Sequence, residues 1–429
     1  MSSNLLTSCS KLSLPNLEKI ASETRLVIRK SNKFSPDAFL QSLLSSVSSG
    51  LASYNQIAAD LKDRVEAAMA KQSLQERFSP KSTNFLLKVI EELMEQRFEP
   101  VSKALLETNI QRIVIEDATI QALRKSNADR FASYGNNYGK TAALKIDFAY
   151  DILSGTMVSH TLEKATTQDK AIGKNILSKI RPGDLVLRDM GYFFLNEFTA
   201  IEGLGGQWLS RLPLFIGGSL ENRRTLEKKL KHHEKKTRDQ SLDLTVQLAK
   251  QKKRCRLVAI KASPKLTEKR RRERREKAKK ANKPPCPKGL IRDGWHLMVT
   301  SLSKDQASVE QLTEIYRARW AIEIQFRAWK QSLNLSKALN RKSNEHHLQA
   351  LVLAAMIAHQ LGMKIGAEML KSIPLEELSF EKLYDLLALH LKKSPTFTDL
   401  LDFNPDKRHI KRDKRKRKSP INSGLTALA

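Results

Sequence analysis

Residues 315–334 read IYRARWAIEIQFRAWKQSLN. Tyr316, Arg319, Glu323 and Lys330 stand in this stretch at offsets of zero, three, seven and fourteen. At roughly 100° per residue they fall within an arc of about 60° on one side of an α-helix. Ile315, Ile322, Phe326, Trp329 and Leu333 make a second, apolar stripe beside it. The spacing therefore predicts a helix that docks on a core while presenting one carboxylate flanked by a phenol and two cations. A single acid ringed by Arg, Lys and Tyr suits a site that handles a metal and a polyanion together. The plainer reading is a solvated face with an intrahelical pair between Arg319 and Glu323, a contact common on surface helices.

The string Tyr-x2-Arg-x3-Glu-x6-Lys, set in YRARWAIEIQF, resembles the signature of a large group of bacterial insertion-sequence transposases. These are cut-and-paste DDE enzymes with a ribonuclease-H-like core. Four fixed residues with matching context are more specific than a lone Gly-rich motif. The resemblance implies that Glu323 is the third catalytic acid and that two aspartates lie upstream.

A matched pair answers that requirement. Ile113-Val114-Ile115-Glu116-Asp117 and Leu185-Val186-Leu187-Arg188-Asp189 share one layout of three apolar residues, one charged residue, then Asp. Short apolar runs of this kind read as buried strands, with the Asp at the strand exit. Asp189 continues into Met190-Gly191-Tyr192-Phe193, resembling the family's Asp-x-Gly-Tyr/Phe turn. At the first position the family often continues Asp-Gly-Thr, whereas this chain reads Asp117-Ala118-Thr119. Glu116, Asp147 and Asp151 compete with Asp117 there. Asp147 and Asp151, in LKIDFAYDILSG, read as part of a following strand pair and its turn.

Two acids on strands and one on a helix would converge on a pair of divalent cations. Phosphodiester cleavage expels an alkoxide, so hard cations bridging the attacking and leaving oxygens suit the chemistry. Oxygen ligands select Mg2+ or Mn2+, and two ions are expected. Cys9, Cys255 and Cys286 are isolated, and no Cys-x2-Cys or His-Glu-x2-His spacing is present. The adjacent pairs His232-His233 and His346-His347 read as solvated or phosphate-facing. There is no Gly-x4-Gly-Lys loop, so a nucleoside triphosphate is not implied.

The 429 residues carry 76 Lys+Arg against 46 acids, a net charge of +30. That balance points to nucleic acid as the partner and supports fast, salt-sensitive association without specifying sequence. Scattered cysteines and the absence of a basic-then-apolar leader fit a reducing compartment, and the resemblance implies the bacterial cytoplasm, at the nucleoid. The longest apolar run, ALVLAAMIA from Ala350, is too short to span a bilayer and reads as a core helix, so no membrane is expected.

The expected fold class is α/β: a ribonuclease-H-like mixed sheet flanked by helices and interrupted by a β-strand insertion. An all-α N-terminal domain precedes it and a basic, disordered C-terminal tail follows. By texture, residues 1–105 form a helical DNA-binding region and 106–216 the first part of the catalytic core. A β-rich basic insertion spans 217–305, the second part of the core 306–372, C-terminal helices 373–404 and the tail 405–429. Within the first region, SYNQIAADLKDRVEAAMAKQSLQERF reads as two short helices and a turn, either a DNA-reading helix-turn-helix or packing helices. Inside the insertion, EKRRRERREKAKKANKPPCPKG reads as a loop or solvated helix used for phosphate contact, as does the tail DKRHIKRDKRKRKSP.

The resemblance implies an enzyme that binds double-stranded DNA at transposon ends, nicks a strand with metal-activated water, and turns the freed 3′-hydroxyl on target DNA. Asp117, Asp189 and Glu323 would hold the metals, and Tyr316, Arg319 and Lys330 the phosphates. Joining two ends implies a homodimer on DNA. Family members can pass through a hairpin with an extruded base, which an aromatic would stack against; Trp295, Trp320 and Trp329 are available. Trp329 lies on the apolar stripe and reads as core, leaving Trp295 as the choice. The rival readings are a repurposed DNA-binding protein without catalysis and a structure-specific ribonuclease-H-like nuclease. Retention of three acids weighs against the first, and the insertion with its signature helix against the second.

Overall fold

A computed structural model describes residues 15–411 apart from 30, 96–109, 136–138, 155, 221–223, 250–252, 320, 342, 371–376, 394–395, 398–402 and 404. Trp320, Cys9 and the tail from residue 412 therefore lie outside the described residues.

The apolar runs of the sequence form one nine-stranded sheet. Its strands are β1 (Arg112–Leu123), β2 (Ala142–Asp151), β3 (Met157–Lys164), β4 (Asp184–Arg188), β5 (Gln207–Arg211), β6 (Gly218–Ser219), β7 (Ser241–Leu248), β8 (Lys253–Lys261) and β9 (Trp295–Thr300). The order is β3-β2-β1-β4-β5-β9-β8-β7-β6. β1, β4 and β5 are parallel, while β2 runs antiparallel to β1 and β3 to β2. This five-stranded mixed unit is the ribonuclease-H-like core. β9 pairs antiparallel with β5 on one side and β8 on the other, so the strands from 217 onward prolong the same sheet.

Alternation along the strands divides two cores. Ile113, Ile115, Leu185 and Leu187 face a core shared with the helices Pro36–Ser49, Pro80–Glu95, Glu345–Leu370 and Phe380–Lys393. Val114, Val186, Trp208 and Leu257 face the other, closed by Phe198 and Leu230 from the helices Leu195–Gly203 and Leu226–Lys236. The Phe198 and Trp208 rings stack there at 4.1 Å.

The N-terminal helices pack into the first of these cores. Pro36–Ser49 starts on a Ser35 cap with Pro36 in its first turn, and ends at Gly50 with φ 71°. At that glycine a Cβ would stand 2.8 Å from Lys337 Cβ, so both conformation and space require glycine. Tyr54–Lys62 and Lys71–Arg77 are two short helices with a turn between them. Their seam is aromatic: Tyr54 stacks on His347 at 4.4 Å, with Phe78 against the same imidazole. His347 and His233 are buried, unlike the solvated pairs expected of these neighbours.

ALVLAAMIA belongs to a helix of 26 residues, Glu345–Leu370, longer than the run itself. By length and composition it could cross a bilayer, but 89% of its apolar window is buried inside the protein. Its apolar character is that of a central core helix, because it packs against N-terminal and C-terminal helices at once.

Candidate active site

Register brings the two matched runs side by side. β1 and β4 pair in parallel from Arg112↔Asp184 to Glu116↔Arg188, where β4 stops. The next residues are Asp117 and Asp189, so both aspartates stand at the same end of one strand pair. Asp117 is not at the exit of its own strand, as expected from the sequence: β1 continues to Leu123, pairing Asp117 with Phe148 of β2. The hairpin with β2 carries β1 on, and the opening beside Asp117 comes from the end of β4. Asp189 leaves β4 extended (φ −80°, ψ 172°) and heads a single turn over Met190–Tyr192.

The YRARWAIEIQF stretch is not one continuous helix. Val309–Ala318 opens with a full capping box between Ser308 and Gln311, then gives way to Ala321–Arg327 and a π-turn over Ala328–Ser332. At the first junction the bonds tighten, with Arg319 N–H donating to Tyr316 O and Ile322 N–H to Arg319 O, each at 3.2 Å. The π-turn closes by Leu333 N–H to Ala328 O at 2.9 Å. It seats Trp329 fully in the core while Lys330 Nζ reaches Ile120 O on β1 at 3.0 Å. The even 3.6-residue period behind the polar stripe misses both irregularities, and π-turns of this sort cluster at functional sites.

Arg319 is the centre of the arrangement. Its Nη1 lies 3.0 Å from Asp117 Oδ2 and its Nη2 3.5 Å from Glu323 Oε1. Asp189 acts on the same guanidinium through space, and Tyr316 packs beside it with 5.9 Å from ring centre to guanidinium carbon. The three acids and the Tyr and Arg thus share one place, whereas an isolated surface pair would link Arg319 to Glu323 alone. Burial pushes the Asp117 carboxyl up to about 6; Arg319 and the Ala118 N–H oppose this, and Asp189 and Glu323 reinforce it. Burial likewise raises the Tyr316 phenol and lowers the Lys330 ammonium.

The competitors for the first acid are engaged elsewhere. Glu116 points to the opposite sheet face, where Arg188 Nε donates to its Oε2 at 2.5 Å. The same guanidinium donates to Glu197 Oε2 and to Gly173 O, and all three charged side chains are buried. Burial raises the Glu116 carboxyl, with Arg188 opposing. Asp147 accepts from Tyr192 Oη at 2.5 Å. Asp151 caps the turn after β2, accepting from Ile113 N, Leu153 N and Ser154 Oγ. This buried Glu116–Arg188–Glu197 group escaped the sequence reading. Its trace was visible, since the charged fourth residues of the two matched runs have opposite signs.

Trp295 does not suit the stacking role expected of it. It is 3% exposed, with its ring 5.8 Å from His233, and offers no free face to a base. As the first residue of β9 it fills the second core, because strand alternation turns it inward. Met190, beside Asp189, is by contrast 39% exposed.

Asp117, Asp189 and Glu323 offer hard oxygen donors, the type that suits Mg2+ or Mn2+. Among the described residues, no three Asp, Glu, His or Cys side chains already close on a single point. The donor chemistry therefore fits a divalent cation, and Arg319 now holds the Asp117 and Glu323 carboxylates that would supply it.

A mixed sheet of this strand order, with Asp117 and Asp189 side by side where β4 stops, has the ribonuclease-H-like form that a class of nucleic-acid enzymes shares. The sequence pattern of the transposase DDE domain matches residues 108–359, and the chain belongs to that family; its activity is that of a transposase, cleaving and joining DNA strands. It is 26% identical over 407 residues to the transposase for insertion sequence element IS231B of Bacillus thuringiensis subsp. berliner, covering 89% of this chain and 84% of the relative. The IS231F transposase of B. thuringiensis subsp. israelensis is 27% identical over 401 residues, covering 87% and 83%. The IS1151 transposase of Clostridium perfringens is 21% identical over 340 residues, covering 75% and 72%. A solved piggyBac transposase synaptic complex with hairpin DNA is similar at 13% identity and a TM-score of 0.45, covering 96% of this chain and 84% of that one.

Proposed function

We propose that this transposase moves an insertion sequence by cut and paste, with Asp117, Asp189 and Glu323 as its catalytic acids. The observation that carries the reading is the gathering of these acids around Arg319, beside the point where β4 stops against β1. The three would hold two Mg2+ or Mn2+ ions, which when bound would activate a water and stabilise the departing alkoxide. Arg319, with its planar fork, and Lys330, a point charge 3.0 Å from the β1 backbone, orient the phosphates beside the scissile bond. Tyr316 braces the guanidinium in that position. The same site serves nicking and, with the freed 3′-hydroxyl as nucleophile, strand transfer into target DNA.

In this reading the helices before residue 105 help hold the transposon end, residues 106–216 and 306–372 supply the acids, and the basic segments of 217–305 and 405–429 hold phosphates. Two chains act together on two DNA ends. The enzyme works in the bacterial cytoplasm, on the nucleoid.

The test uses the full chain with duplex DNA carrying the inverted repeats that flank its coding region, in Mg2+. Wild type is expected to release 3′-hydroxyl ends while Glu323→Gln binds the duplex and leaves it intact. If both bind and neither cuts, the catalytic reading fails. Acid should also slow the reaction. Because burial raises the metal-free Asp117 carboxyl to about 6 and a ligating carboxylate must be deprotonated, the Mg2+ concentration needed for half-maximal cleavage is expected to rise as pH drops through that value, in Mg2+ titrations on pre-bound DNA at a series of pH values.

The same raised value carries a stability consequence of definite sign. An Asp titrating at about 6 in the fold and at its ordinary 3.8 when unfolded destabilises the fold in its ionised form, fully so above pH 6. Asp117→Asn is therefore expected to unfold no earlier than wild type at pH 8 in thermal melts. Any advantage should shrink as pH falls from about 6 towards 4.

A further inference from the structure

The helix Pro264–Lys280 carries ten cations and three acids and buries none of its residues. Its cations divide by face. Arg270 donates to Asp293 O and Trp295 O at 3.3 and 3.2 Å, and Arg271 to Leu290 O at 3.0 Å. Arg274 grips the Asp293 carboxylate with two bonds of 2.7 and 2.6 Å. These three fasten the helix to the start of β9 and to the short helix Pro287–Arg292. Lys265, Lys269, Arg272, Arg275 and Lys279 are all exposed, and helical geometry places them within about 120° of arc on the opposite side. Seventeen residues make this charged face roughly 25 Å long.

Sheet topology sets where that face lies. β8 runs antiparallel to β9, β9 antiparallel to β5, and β5 parallel to β4. The C-terminal end of β8, just before the helix begins, is therefore on the same sheet edge as Asp189. Three strand spacings separate β4 from β8, roughly 14 Å. Between them stands Arg211, the last residue of β5, with exposed Arg317 on the neighbouring helix. Arg270 Nη2 lies 3.4 Å from His296 Nδ1 on β9, the strand that pairs with Arg211 of β5, and Arg211 and Arg317 add to the burial and the Arg270 charge that hold this imidazole down at about 4. Arg211 also acts on Tyr316, so the crowd reaches the active-site helix. Like charges gathered this closely favour a polyanion laid across them.

We propose that the outer face of this helix is a second DNA-contacting surface, holding the phosphate backbone of the same duplex whose scissile bond lies at the acids, with Arg211 and Arg317 carrying the track between. The surface itself stands on charge and topology; its continuity with the scissile bond rests on the catalytic reading above. It grips without reading sequence, since backbone contacts set register and carry no base information.

The test compares three full-length proteins: wild type, the outer-face variant with Lys265, Lys269, Arg272, Arg275 and Lys279 all changed to Ala, and Arg211→Ala/Arg317→Ala. Alanine keeps the helix, and the fastening arginines stay in place. Binding is measured against salt on a duplex carrying the flanking inverted repeat and on an unrelated duplex, with hydroxyl-radical footprints on the first. The outer-face variant is expected to lower the slope of log K against log salt by about 3–4 on both duplexes, at about 0.9 per phosphate lost. Its footprint should shorten at the end far from the scissile bond, while the Arg211/Arg317 variant leaves a gap inside it. An unchanged slope and an unchanged footprint overturn the proposal. Cleavage is scored separately with Glu323→Gln: a fallen slope without any wild-type cleavage keeps the surface and removes the catalytic reading. Normal cleavage with an unchanged slope does the reverse.

Discussion

Asp189→Asn is expected to lower strand cleavage by about a thousandfold or more while the protein still folds and binds its DNA. The substitution keeps size and removes one of the three carboxylates gathered around Arg319 beside the end of β4. A hard divalent cation gains most of its binding from such charges, and the loss of several kcal/mol of transition-state stabilisation corresponds to about three powers of ten in rate. Asp189 heads its turn through backbone geometry, with no side-chain cap bond, so its carboxylate is not needed to build that turn. Single-turnover cleavage and salt-dependent binding, measured on the same preparation, separate the two effects. Retention of normal cleavage would remove Asp189 from the site.

Arg188→Met is expected to be the most damaging change for stability, costing about 3–5 kcal/mol in urea unfolding. Arg188 is fully buried and satisfies Glu116, Glu197 and Gly173 O at once. Truncating it strands two buried carboxylates with no counter-charge, which costs far more than the intact group contributes. Adding Glu116→Gln and Glu197→Gln to Arg188→Met should therefore recover much of the loss, because neutral amides need no cation. A triple variant as unstable as Arg188→Met alone would show that the cost lies in packing. Since Glu116 and Arg188 directly precede Asp117 and Asp189, the group also pins the register on which the proposed site depends.

The sheet was legible because several of its strands contain short apolar runs bounded by turn residues, as in QRIVIEDATI, DLVLRDMGY and CRLVAIKA. Strand order was not, since pairing between residues some 70 positions apart, such as Glu116 with Arg188, leaves no local pattern. The approach of the proposed acids followed from motif resemblance and the repeated run layout. The place of Asp117 inside β1 and not at its exit did not, because the pairing with β2 that carries the strand on to Leu123 leaves no local pattern. Helical spacing placed Tyr316, Arg319 and Glu323 on one side correctly enough to find them. The π-turn at Ala328 seats Trp329 in the core, and neither it nor the end of the first helix at Ala318 follows from a fixed period. Trp295 was misjudged from its place at a strand start, where only the three-dimensional core reveals which way a ring turns.

The sheet face of the first acid decides the proposed site. Asp117 and Asp147 lie on neighbouring strands, one beside Arg319 and the other bonded to Tyr192 on the opposite face. The measurement is cleavage of inverted-repeat duplex in Mg2+ by Asp117→Asn and Asp147→Asn side by side, each first shown to fold and bind. The expected result is no 3′-hydroxyl product from Asp117→Asn and clear product from Asp147→Asn, whose amide oxygen still accepts from Tyr192. Full cleavage by Asp117→Asn, with loss in Asp147→Asn, would contradict it.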